Sequence, residues 1–115
     1  MTKIYHERRP WGGFSQFTHN EPSTVKILEV KPGEQNSLQY HDRREELWVP
    51  LDDNSEVVVG KKKWRPIKFE EIYIAKKQIH RLIGAGKEPG FVLEISFGNF
   101  DENDIVRVED DYHRA

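Results

Sequence analysis

Residues 46–60 read Glu46-Leu-Trp-Val-Pro-Leu51, Asp52-Asp53-Asn54-Ser55, Glu56-Val-Val-Val-Gly60. Two short runs of Leu, Trp and Val flank a cluster of Asp, Asn and Ser, which reads as strand, turn, strand. The pattern continues in both directions. Upstream, Ser23-Thr-Val-Lys-Ile-Leu-Glu-Val30 alternates in part and stops at Lys31-Pro32-Gly33, a strand running into a turn. Downstream, Lys61–Lys63 makes a hairpin into Trp64-Arg65-Pro66-Ile67, followed by the runs 71–75, 79–83 and 91–97. Gly84-Ala-Gly86 and Glu88-Pro89-Gly90 separate the last two. No window carries a sustained 3.6-residue apolar period, so the expectation is all-β, with little helix, as a sandwich or barrel. Residues 1–12 and the tail 98–115 show no regular pattern and are expected to be irregular.

The chain has 115 residues, the size of one domain, and is expected to form a single domain over 1–115. It is 33% charged and 36% hydrophobic, which leans polar, but the three Trp and 11% aromatic content argue against disorder. Such a thin core is compatible with a partner subunit covering apolar surface. A net charge of −2 with interspersed signs provides no field for nucleic acid or an anionic membrane. The Lys61–Arg65 run reads as a solvated turn. With no cysteine, disulfides and thiolate zinc sites are excluded. No apolar run approaches a membrane span and no signal-peptide core is visible, so a cytoplasmic location is the default.

Gln39, His41, Glu46 and His80 form the constellation that carries chemistry. Gln39 and His41 are two apart, which on a strand points both to one face. Glu46 is expected to return opposite them on the neighbouring strand, and His80 comes from a later one. Two imidazoles, a carboxylate and an amide oxygen suit Zn, Mn, Fe, Co or Ni and leave positions open for substrate. Spacing alone also admits a structural reading, in which the histidines are half-buried residues and Glu46 pairs with Arg43 or Arg44.

Gly33-x5-Gln39-x-His41-x4-Glu46 resembles the first motif of the cupins, a double-stranded β-helix fold. The fuller run Lys31–His41, with Arg44-Glu-Glu46-Leu-Trp48, is similar to the cupin domain of type II phosphomannose isomerases. So are Arg9-Pro-Trp-Gly12 with Phe14, Ile79-His80-Arg81-Leu82 and the tail Asn103–Tyr112. The resemblance spans residues 8 to 114. In that family the domain often follows a sugar-nucleotide transferase domain, which is absent from these residues.

The resemblance implies one divalent ion (Zn, Mn, Co, Ni or Fe) held by Gln39, His41, Glu46 and His80 in a barrel mouth, and a homodimer. It also implies interconversion of mannose 6-phosphate and fructose 6-phosphate through an enediol. The base is expected to be a metal-bound hydroxide or a carboxylate such as Glu94. Arg44, Arg81 and Arg107 are the candidates for the substrate phosphate, with Arg107 first because a guanidinium matches phosphate oxygens; Arg107 also stands as a catalytic candidate. Arg81 follows a ligand on its strand and should therefore face away from it. Trp11 and Trp48 are expected to pack in the core or at the rim. Two other readings stay open: a non-catalytic sugar- or metabolite-binding cupin, and an Fe-dependent dioxygenase.

The second cupin motif, Pro-x-Gly-x-x-His, survives here only as Ala75-x-Lys77-x-x-His80. Asp53 replaces an expected Gly, Asp42-Arg43 replaces a His-rich run, and Leu47 stands where another His is frequent.

Overall fold

The computed structural model describes residues 3–112; the ends of the opening segment (1–2) and of the tail (113–115) lie outside the described residues. Among the described residues there is no helix, and hence none long and apolar enough to cross a membrane. Four antiparallel strands form one sheet in the order β3 (Ser23–Val30), β10 (Gly90–Phe97), β5 (Glu46–Pro50), β8 (Ile72–Ile74). Five form the other: β11 (Val106–Glu109), β4 (Leu38–Tyr40), β9 (His80–Gly84), β6 (Ser55–Val59), β7 (Lys62–Trp64). The two-sheet, all-β architecture expected from the sequence is observed, with β6 and β7 as the expected hairpin.

Three expectations need correction. The opening segment is not irregular: β1 (Tyr5–Arg9) and β2 (Gly12–Gln16) pair as a separate hairpin, turning at Pro10-Trp11. The tail is not irregular either. Its strand β11 pairs with β4 across a bulge between Arg107 and Glu109, so the partner that orders it lies far away in sequence. Finally, β5 does not neighbour β4. It belongs to the opposite sheet, so Glu46 faces Gln39 and His41 across the interior.

The interior is the cluster Val30, Trp48, Val57, Val59, Ile72, Ile74, Leu82 and Val92. Alternation along β5 sends Glu46 and Trp48 to this face and Leu47 and Val49 to the other. That outer face is also buried, because Leu47, Val49, Ile95 and Phe97 pack with Ile4 and Phe17 from the flanks of the N-terminal hairpin. Covering both faces explains why residues 46–50 read as a continuous apolar run, and why Leu47 rather than a histidine suits its position. Burying each such side chain contributes about 1.5–3 kcal/mol. Trp48 is in the core, whereas Trp11, at the hairpin tip, is 73% exposed.

Two turns hold the site strands in place. Gly33 adopts φ 76°, and its N–H donates to the Gly84 carbonyl at 3.0 Å, closing the turn after β3 against β9. Lys77 adopts φ 64°, the left-handed conformation that a glycine takes without cost. The position that is Gly in the second cupin motif is thus held here by a strained lysine, whose N–H donates to the His41 carbonyl at 2.7 Å. Asp53 needs no left-handed backbone, since the other such non-glycine residues are Asn20 and Phe69.

Candidate metal centre and its cavity

Cross-strand register shows how the fold assembles the site. In the five-stranded sheet Arg107 pairs with Gln39, Gln39 with His80 and His80 with Val59, which puts one row of side chains on the inner face. In the four-stranded sheet Lys26 pairs with Glu94, Glu94 with Trp48 and Trp48 with Ile72. The next row brings Ser96 beside Glu46. The two sheets therefore present their polar inner residues to each other at one end of the sandwich, above the apolar core.

His41, Glu46 and His80 are all buried, and one potential ligand atom from each lies within 4.8 Å of the others. His80 Nε2 is 3.5 Å from Glu46 Oε1, and His41 Nε2 is 3.8 Å from Glu46 Oε2. Metal–ligand bonds of about 2.0–2.2 Å place neighbouring ligand atoms roughly 3.0–3.5 Å apart, so the three fit one ion after a slight contraction. Both rings are oriented from behind. His41 Nδ1 donates to the Asp104 carbonyl at 2.6 Å and His80 Nδ1 to the Gln78 carbonyl at 2.9 Å. A carbonyl can only accept, so Nδ1 carries the proton and each Nε2 presents a lone pair. Burial pushes both imidazoles below their ordinary pKa, keeping them neutral and able to ligate.

The donor set is incompletely used by the protein. Glu46 Oε2 accepts from Arg44 Nε and Ser96 Oγ, each at 3.0 Å, whereas Glu46 Oε1 and His80 Nε2 are buried without any hydrogen-bond partner. Buried polar atoms left unpaired are costly, and two such acceptors facing each other suit a cation. A divalent ion fits these residues. Gln39 lines the adjoining cavity and its amide oxygen accepts from Ser37 Oγ at 2.6 Å; the second lone pair of that oxygen leaves it available as a fourth ligand.

The cavity, of about 590 Å³, is lined by Lys26, Gln39, Arg44, Glu94, Phe100 and Arg107 among others. A larger hollow of about 700 Å³ beside Ile27, Lys31 and Tyr112 lacks Gln39, Arg44 and Glu94, and we place the chemistry in the smaller one, whose Arg44 is hydrogen-bonded to Glu46 and His41. Glu94 is buried there and accepts from Trp48 Nε1 at 3.1 Å. Burial first, and then the charge of Glu46, push its pKa up to about 7.

The three candidate arginines separate. Arg107 lines the cavity. Arg44 is buried and bonded to the candidate ligands Glu46 and His41. Arg81 does not join them: its guanidinium donates to the Asn36 carbonyl and to the carboxylate and carbonyl of Glu109, as its outward register requires. In this structure it ties β9 to β11 and does not line the cavity. Reasoning from sequence missed Lys26, Ser96, Phe100 and Asp104. Counting back by twos from the buried Val30 puts Lys26 on the inner face of β3, and that was a usable signal. Asp104, whose carboxylate accepts from the Asp42 and Arg43 N–H groups and so braces the His41 loop, left none that spacing could reveal.

The family described as "Mannose-6-phosphate isomerase C-terminal" has a model that matches residues 2–110. The chain belongs to that family. It is 36% identical over 114 residues to the xanthan biosynthesis protein XanB of Xanthomonas campestris pv. campestris, covering 98% of this chain and 24% of XanB. It is 36% identical over 108 residues to the mannose-1-phosphate guanylyltransferase ManC of Salmonella typhimurium, covering 93% of this chain and 22% of ManC. The chain thus spans about a quarter of the length of these relatives. Among solved structures, a protein with a double-stranded β-helix domain from Klebsiella pneumoniae superposes with a TM-score of 0.66 at 17% identity, over 82% of this chain and 81% of that one. The fold is that of a cupin, and the row of polar residues between the sheets is its mouth.

Proposed function

We propose that this cupin is a metal-dependent isomerase interconverting mannose 6-phosphate and fructose 6-phosphate. The observation that carries this reading is the pair of unpartnered buried ligand atoms, Glu46 Oε1 and His80 Nε2, separated by Arg44 from a cavity that holds a near-neutral carboxylate and several cations. A divalent ion on His41, Glu46 and His80, with Gln39 as fourth ligand, would supply Lewis acidity toward the sugar oxygens at C1 and C2.

The remaining work falls to the chain. Glu94, with one oxygen on the Trp48 N–H, takes the proton from C2 and returns it to C1 of the enediol while the O2 hydroxyl proton passes to O1, and reversal serves the other direction. A pKa of about 7 suits a group that must both accept and release a proton near neutrality. Arg107, together with Lys26 on the facing sheet, binds the phosphate. Leu28 and Ile105 in the cavity wall limit water around the enediol.

The test is conversion of mannose 6-phosphate by protein stripped with EDTA and then reloaded with Zn, Mn or Co. Turnover should vanish on stripping, return on reloading, and be abolished in His80→Ala and Glu94→Gln. Stoichiometric metal binding with no turnover under any ion would remove the isomerase reading and leave a sugar-binding domain. Fe-dependent O₂ consumption would instead favour an oxygenase.

A further inference from the structure

Of the three candidate ligand atoms, two are open and one is taken. The exception is His41 Nε2, which accepts a hydrogen bond from Arg44 Nη2 at 3.1 Å. An imidazole nitrogen of this kind has a single lone pair in the ring plane. Since His41 Nδ1 donates to the Asp104 carbonyl, Nε2 is the sole atom of the ring that can bind a metal ion. That lone pair can serve Arg44 or an ion, but not both. Glu46 imposes no such choice, because Oε2 takes Arg44 and Ser96 while Oε1 stays open.

We infer that Arg44 is an exchangeable occupant of the metal centre: its Nη2 holds the His41 lone pair until an ion displaces it into the cavity. This rests on the reading of His41, Glu46 and His80 as metal ligands. Without an ion, the guanidinium supplies the positive charge that the fully buried Glu46 carboxylate needs. The arginine need not leave when the ion enters. Its Nη1 donates to the Asp101 carbonyl at 3.2 Å, its Nε can keep Glu46 Oε2, and its Cζ lies 4.4 Å from the Phe100 ring centroid. A turn of the guanidinium within these contacts points Nη2 at the cavity that Arg44 lines, where it becomes a donor to substrate oxygens. Metal affinity in the native chain is accordingly lowered by the hydrogen bond that must be broken.

The experiment is a Co(II) titration of the EDTA-stripped full chain against a competing chelator, followed by visible absorption of the bound ion. Arg44→Met should bind Co(II) about tenfold more tightly than the native chain, equivalent to about 1.4 kcal/mol. Lys26→Met removes a cation from the same cavity, one whose ammonium lies over Phe100, and should change affinity by about twofold or less. Unchanged or weaker binding in Arg44→Met would overturn the inference, as would an equal gain in Lys26→Met, which would show a general charge effect. A readout on the native chain covers the case in which Arg44→Met does not fold. The Arg44 guanidinium signals in ¹⁵N NMR should shift on stoichiometric Zn(II) addition, and their constancy would refute the exchange. No Co(II) binding by any of these proteins would overturn the metal centre itself together with this inference; binding without an Arg44 effect would overturn only the latter.

Discussion

Replacing Glu94 by Gln should make the metal-free domain more stable at pH 8 and inactive when reloaded. Glu94 is 6% exposed, and its pKa stands at about 7 against an ordinary 4.5, chiefly because burial disfavours the charged form. Folding therefore favours protonated Glu94. This contribution is complete below pH 4.5, is lost as pH rises from 4.5 to 7, and is absent above. At about 1.4 kcal/mol per tenfold change in proton affinity, ionising Glu94 in the fold costs about 3 kcal/mol at pH 8. Glutamine has nearly the same shape, carries no charge and can still accept from Trp48 Nε1. The variant should consequently gain about 2–3 kcal/mol at pH 8, or roughly 8–12 °C in Tm for a domain of this size. The gain should shrink toward zero at pH 4.5. His41 and His80 titrate in both proteins, so their contributions cancel in the difference. Urea unfolding of both proteins in EDTA, from pH 4.5 to 8, measures it. A gain that is absent, or constant across that range, would refute the assignment of a buried and destabilised carboxylate at this position.

Lys77→Gly should stabilise the domain by about 0.5–1 kcal/mol, since relief of the left-handed backbone outweighs the entropy of the added glycine; a shift in urea midpoint reports it. Asp104→Ala removes the acceptor of the Asp42 and Arg43 N–H groups, and should weaken Co(II) binding about tenfold by loosening the His41 loop while leaving the β-sheet circular dichroism intact. The expected homodimer has a candidate face in Val25 and Ile27 of β3, 58% and 61% exposed. Ile27→Glu should halve the mass measured by light scattering, and a native chain that already runs at the single-chain mass would remove the dimer.

Much of this protein is legible without coordinates because β-structure writes its periods locally. The runs at 23–30, 46–50, 55–59 and 90–97 are strands for reasons contained in each run, and the turn at Lys31-Pro32-Gly33 needs only its own residues. The residue types at 39, 41, 46 and 80 likewise determine which chemistry is available, because two imidazoles, a carboxylate and an amide without any thiol define a class of ion wherever they meet.

What only the tertiary structure decided is what depends on partners distant in the chain. Strands β1, β2 and β11 have weak local patterns and are ordered by a hairpin and by pairing with β4. Arg44 and Arg81 are alike as residues, yet one enters the candidate metal centre from the loop between β4 and β5, while the register of β9 turns the other outward to brace β11. Glu46 reaches the histidines from the facing sheet. The two open ligand atoms and the one held by Arg44 follow from that approach, since a lone pair is left over only when the packing of every neighbouring donor has been settled.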